Sequence, residues 1–160
     1  ANEDCLSEHY NRYNKDGEYV FNSEEMGRRS FKNMCLSYLL KLNKETYVKL
    51  AQEQYDSAGN FTDSFAPMTS LLQTKSPVKN ETLVHFYEKW KDEFLVVCKW
   101  LSVQSSSSSI STLNRVKALL DHPSFDFKNP NKIRSVLGAF ALRNQLGLDL
   151  VRLVTSKDSA

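Results

Sequence analysis

Apolar residues recur at three- and four-residue spacing along most of this chain and nowhere alternate at period two over a useful length, so the pattern predicts helices throughout. Leu6, Tyr10 and Tyr13 form a short first stripe in the polar stretch from Ala1 to Asn22, closed by a turn at Asn14-Lys15-Asp16-Gly17. Ser23 reads as a helix N-cap, followed by Glu24 and Glu25, whose charges suit the positive end of the helix dipole. Phe31, Met34, Cys35, Tyr38 and Leu42 then make one apolar stripe. Tyr47, Leu50, Ala51, Gln54, Tyr55 and Ala58 make the next, with Gly59 expected in the left-handed conformation that ends a helix. A third stripe runs through Phe65, Met68 and Leu72. Pro67 is tolerated in a first helical turn, so Ser64 is expected to cap this helix, with Thr62 or a kink as the alternatives.

Asn80 is expected to cap a helix bearing Leu83, Phe86, Tyr87 and Trp90, and Asp92 one bearing Leu95, Val96, Trp100, Leu101 and Val103. Serine competes for its own backbone and offers no apolar surface, so Ser105 to Ser109, within a serine-rich stretch to 111, reads as a surface loop. Thr112 is expected to cap a helix with Leu113, Val116, Leu119 and Leu120, stopped by His122-Pro123. Asn129-Pro130 pairs a capping residue with proline at the first helical position, and Ile133, Val136, Leu137 and Phe140 follow. The sum is seven or eight short helices with short turns: an all-α stack of paired antiparallel helices of the ARM/HEAT-like helical-repeat type, in one domain over residues 1–160. Sequence self-similarity is absent, so this reading rests on the rhythm of the elements.

Composition agrees and removes several functions. Few glycines and prolines favour helices, and a net charge of +2 is too balanced for a nucleic-acid or anionic-membrane surface. No apolar run reaches the roughly 18 residues of a membrane span, and no secretory signal is visible at the acidic N-terminus. Cys5, Cys35 and Cys98 are odd in number and unpatterned, which points to a reducing, cytoplasmic compartment. The sequons at Asn60 and Asn80 are therefore expected to be unused.

Catalytic patterns are missing. His9, His85 and His122 do not form the His-Glu-x-x-His zinc pattern, and His85 with Glu88 supplies only two ligands. No Cys-x-x-Cys or glycine-rich phosphate loop occurs, and no base is placed beside the serine run. Trp90 and Trp100 at helical spacing read as core before they read as a ligand platform.

Six strings stand in one order: Met26-Gly27-Arg28-Arg29-Ser30-Phe31-Lys32-Asn33, Phe61-Thr62-Asp63, Phe86-Tyr87-Glu88-Lys89-Trp90, Leu95-Val96-Val97-Cys98-Lys99-Trp100, His122-Pro123-Ser124-Phe125-Asp126 and Asn129-Pro130-Asn131-Lys132-Ile133-Arg134-Ser135. Together they resemble the C-terminal domain of bacterial-type aminopeptidase N, over residues 23–140. The resemblance implies a helical superhelix closing over a separate catalytic domain that carries the zinc; no cofactor is expected in this chain itself. It implies that the chain walls an internal chamber and limits which peptides reach the zinc. Arg134 matches a family arginine on the active-site side, and with Asn131 and Asn129 it forms the candidate chamber-facing set, able to meet a peptide carboxylate or carbonyl. The expected partners are the catalytic domain of the same polypeptide and its peptide substrate. The alternative is a stand-alone helical scaffold that binds a peptide or protein. After Phe140 the chain departs from the family pattern; the stack is expected to be cut short there, and the apolar tail of 141–160 to promote self-association.

Overall fold

Asn22 starts the first long helix, and the way it does so shows how local chemistry sets the element boundaries. Its side-chain oxygen accepts the Glu25 backbone N–H at 2.8 Å, so the cap lies one residue before the expected Ser23. The computed structural model describes residues 2–15, 19–107 and 111–143, and every regular element among them is helical. The helices are α1 (Asn2–Tyr13), α2 (Ser23–Leu40), α3 (Glu45–Ser57), α4 (Phe61–Leu71), α5 (Val78–Trp90), α6 (Phe94–Ser105), α7 (Thr112–Leu120), α8 (Pro130–Ile133) and α9 (Ala139–Arg143), with a π-turn over Arg134–Gly138. No helix of the described residues is long and apolar enough to cross a membrane. The expected turn at Asp16-Gly17, Ser108 and Ser109 of the serine run, and the tail from 144 lie outside the described residues.

The chain divides into two compact units, one ending at Leu83 and the other beginning at Val84, within α5. In the first, α2 packs against α1, α3 and α4. Its core gathers Tyr10 of α1, Cys35, Leu36, Leu39 and Leu40 of α2, and Tyr47, Val48 and Ala51 of α3, with Leu71 of α4. This corrects the expected stripe of α2. Cys35 is buried, but Phe31, Met34, Tyr38 and Leu42 are 37–49% exposed. The helix carries apolar residues on two faces, and the one with three leucines goes inward because it removes more apolar area from water.

Other boundaries moved for identifiable reasons. The turn between α2 and α3 is made by Asn43 at φ 53°, whose side-chain amide bonds the Lys41 carbonyl at 3.2 Å. Gly59 has no positive φ; Ala58 ends α3 in extended backbone instead. Asn60 caps α4 by accepting the Asp63 N–H at 2.9 Å, which leaves Pro67 in the helix interior. Proline there has no N–H to give the Asp63 carbonyl; the Gln54 side-chain amide donates to that oxygen at 3.1 Å. Asn80 lies inside α5, and Glu93 precedes α6 without a side-chain cap bond.

The second unit is built around α6, which packs against α7, the π-turn and α9. The serine run is not a surface loop where it is described. Ser105 closes α6, fully buried, and its hydroxyl donates to the Leu101 carbonyl at 3.1 Å. Ser107 is fully buried as well, and its carbonyl accepts the Thr112 hydroxyl at 2.7 Å. Thr112 is therefore the first residue of α7, not its cap. Asn129 does cap α8, with its side-chain oxygen facing the Asn131 and Lys132 N–H groups and Pro130 at the first helical position. The helix from Pro130 to Arg143 is then interrupted by one wider turn, in which the Ala139 N–H reaches back to the Arg134 carbonyl.

Trp100 is 6% exposed, with the Tyr87 ring 4.9 Å and the His122 ring 5.2 Å from its own. Trp100→Ala is expected to destabilise the protein by about 3–5 kcal/mol in denaturant unfolding. Unchanged stability would place this indole outside the core.

Candidate functional site

The strings singled out in the sequence converge on three clusters. The first joins α1 to α4 through buried polar groups. Gln54 of α3 is 5% exposed and uses its amide fully: the carbonyl accepts Tyr10 Oη at 3.0 Å, and Nε2 donates to Asn33 Oδ1 at 2.8 Å and to the Asp63 backbone. The Asp63 carboxylate meets Lys32 Nζ at 2.9 Å, Asn60 Nδ2 at 3.0 Å and Asn33 Nδ2 at 3.4 Å. Burial pushes the Asp63 carboxyl up, but the donors from Asn60, Lys32 and Asn33 outweigh it and hold the group below the usual carboxylate range. Burial first, and the Asp63 and Glu53 charges second, push the Tyr10 phenol up to about 12. Every polar group here is paired within the protein, so the cluster has the character of a structural lock.

Arg28 and Arg29 extend it. Arg28 donates to the Tyr13 carbonyl at 2.5 Å and pairs with Glu25, while Arg29 donates to the Val20 carbonyl at 3.0 Å and lies 4.6 Å over the Tyr19 ring. The two guanidinium groups thus hold both ends of the connection between α1 and α2.

The second cluster lies in the other unit. Tyr87, Trp100 and His122 stack against one another, and Ser124 Oγ is 2.6 Å from Tyr87 Oη. His122 Nδ1 accepts the Ser124 N–H at 3.1 Å, which puts the ring proton on Nε2. Burial, with Lys132 nearby, lowers the His122 pKa and keeps the ring neutral. His85 and Glu88 are exposed on α5. Among the described residues no group of three His, Cys, Asp or Glu side chains could hold a metal ion. The ligand set for a resident zinc does not fit these residues.

The third cluster contains the candidate chamber-facing residues. Asn129 is committed to its capping bonds, whereas Asn131 and Arg134 line an open groove of about 420 Å³. Leu95, Cys98 and Ser102 of α6 form one wall; Ser135, Leu142 and Arg143 continue the other. Positions four apart drift by about 40° in a regular α-helix. The wider turn takes up much of that drift, so the rows Asn131, Ser135, Ala139, Arg143 and Arg134, Gly138, Leu142 stay on the groove. Arg134 is exposed and makes no ion pair or side-chain hydrogen bond with a described residue. The periodicity offered no sign of Arg143, Ser102 or Cys98 as groove residues; only the π-turn and the packing of α6 bring them there.

Comparison with known proteins follows this geometry. A family model described as a domain of unknown function, DUF3458_C ARM repeats, matches residues 1–149. Aminopeptidase N of Haemophilus influenzae is 33% identical over 127 residues, which is 79% of this chain and 14% of the relative. Aminopeptidase N of Escherichia coli is 33% identical over 131 residues, 82% of this chain and 15% of the relative. The crystal structure of Legionella pneumophila aminopeptidase A in complex with aspartic acid superimposes with a TM-score of 0.77 at 28% identity, over 87% of this chain and 17% of that one. The chain thus spans about one seventh of the length of the curated relatives it matches.

The Asp63 lock gives a pH signature. A carboxyl held below its unfolded value of about 3.9 contributes stability that is complete above that pH and is lost as pH falls through the lower folded value. Asp63→Asn is expected to lower the melting temperature near neutral pH, because Lys32 is left buried without its carboxylate, at a cost of about 3–5 kcal/mol. The two proteins are expected to converge as pH falls below the unfolded carboxyl value of about 3.9 and on through the lower folded value, where wild-type Asp63 becomes neutral. Thermal melts across that range check this, and a gap that persists in acid would contradict it. Family model, relatives and helical architecture agree: this chain belongs to the DUF3458_C ARM-repeat family, the C-terminal helical domain of the aminopeptidase N type.

Proposed function

We propose that this chain is a non-catalytic domain of a zinc metalloaminopeptidase, walling the chamber through which peptides reach a catalytic domain on the same polypeptide. The observation that carries the proposal is the match of about four fifths of this chain to about one seventh of two aminopeptidases. Zinc in the catalytic domain supplies an activated water. The described residues supply groove chemistry instead: two arginines, an asparagine and two serine hydroxyls beside apolar Leu95 and Leu142. That mixture suits an extended peptide, whose main chain needs hydrogen-bond partners and whose C-terminal carboxylate matches a guanidinium fork. A wall that excludes folded protein and most water strengthens such contacts and favours short peptides.

Arg134 is the residue through which this role is tested. In the complete gene product, Arg134→Ala is expected to raise KM for tri- and tetrapeptides by about tenfold, the equivalent of one charge-assisted hydrogen bond. kcat is expected to stay near wild type, and hydrolysis of a single amino-acid arylamide, which has no distal carboxylate, is expected to be unchanged. Steady-state kinetics on both substrate types decides it. Equal losses on both would assign Arg134 a structural part, and unchanged peptide kinetics would remove it from the chamber.

A further inference from the structure

The outward face of α2 carries an apolar row that the first unit leaves uncovered. Gly27, Phe31, Met34 and Tyr38 succeed one another at four, three and four residues, with Leu42 just beyond the helix end. Phe31, Met34 and Tyr38 fall within about 60° of the helix circumference, and the row from Gly27 to Tyr38 is about 16 Å long. The four large side chains are 37%, 43%, 49% and 46% exposed. Isolated exposed apolar residues are ordinary on a protein surface; three in register on one helix face, with Leu42 just beyond it, are the pattern of an interface. The His9 and Tyr13 rings lie edge-on to Phe31 at 5.5 and 5.3 Å and hold it in place. A Cβ at Gly27 would meet nothing within 4 Å, so the row begins on open surface.

We infer that this row docks a further apolar helix of the same polypeptide, from outside these 160 residues. The inference rests on reading the chain as one domain of a longer aminopeptidase. Two observations select this occupant. The matching relatives are about seven times longer than the segment they share with this chain, so most of such a polypeptide lies outside it. The family is one of ARM repeats, in which each helical repeat buries its apolar face against the next. The spacing fits a helix as well: alternating three- and four-residue steps present ridges that interlock with a neighbouring helix. No charged residue interrupts the row, and Lys41 lies over the Tyr38 ring at 4.5 Å without covering it.

The test uses the complete gene product with Cys5, the exposed cysteine, changed to serine. Met34→Cys is compared with Lys49→Cys, whose native side chain is 70% exposed in the same unit. A thiol at position 34 is expected to react with maleimide at least about tenfold more slowly than one at 49. A photo-crosslinking residue at 34 is expected to join peptides of the same polypeptide outside the 160 residues, independently of protein concentration. Equal labelling rates, or crosslinks to a second copy, in a product several times larger than this chain would overturn the docking face and leave the domain reading intact. A product no larger than this chain would overturn both.

Discussion

One missing N–H organises the first unit. Pro67 stands inside α4, where it cannot satisfy the Asp63 carbonyl one turn earlier. Gln54 of α3 supplies that hydrogen bond with its side-chain amide, and this requirement fixes where α3 must lie against α4. The remaining donor and acceptor of the amide then reach Asn33 of α2 and Tyr10 of α1. A single buried glutamine thereby connects four helices, with the Lys32–Asp63 pair beside it. Such a network is stabilising only when complete, because each group left unpaired away from water costs about 1–3 kcal/mol. The apolar core of Leu36, Leu39, Leu40 and Leu71 supplies the larger share of the burial, while the polar network selects one arrangement of it.

The network also gives a structural use to polar residues in strings that look like motifs. Lys32, Asn33 and Asp63 are ionisable or polar residues at fixed places in two of the six strings, yet each is used in holding helices together. Tyr87, Trp100, His122 and Ser124 do the same in the second unit, where rings and a neutral imidazole replace the ion pair. In the last string, Asn131 and Arg134 present polar groups to an open groove. A family likeness read from such strings is a statement about architecture first.

Much of that architecture was legible. Asn129-Pro130 announced its helix because a capping amide and a proline act locally, and Trp100 announced the core because no surface contact replaces so much buried area. What escaped depended on partners distant in sequence. Pro67 reads as a first-turn residue until Gln54 is seen to replace its hydrogen bond. The row of Phe31, Met34 and Tyr38 has the same period as the leucines behind it, and periodicity alone cannot say which face turns inward. Ser105 and Ser107 read as solvent-exposed by composition, but the small side chains let helix end and turn close tightly, with a carbonyl for the Ser105 hydroxyl. The π-turn has no sequence signature, and with it went the placement of Arg143 beside Arg134.

On the proposed function, this domain supplies walls to a chamber whose chemistry lies elsewhere, so the two must be physically joined. The most direct measurement is the intact mass and metal content of the native gene product, identified through peptides of this chain. The account predicts a single polypeptide several times heavier than 18.4 kDa that carries bound zinc. A product of about 18.4 kDa without zinc would contradict it, and would make this chain a helical scaffold in its own right.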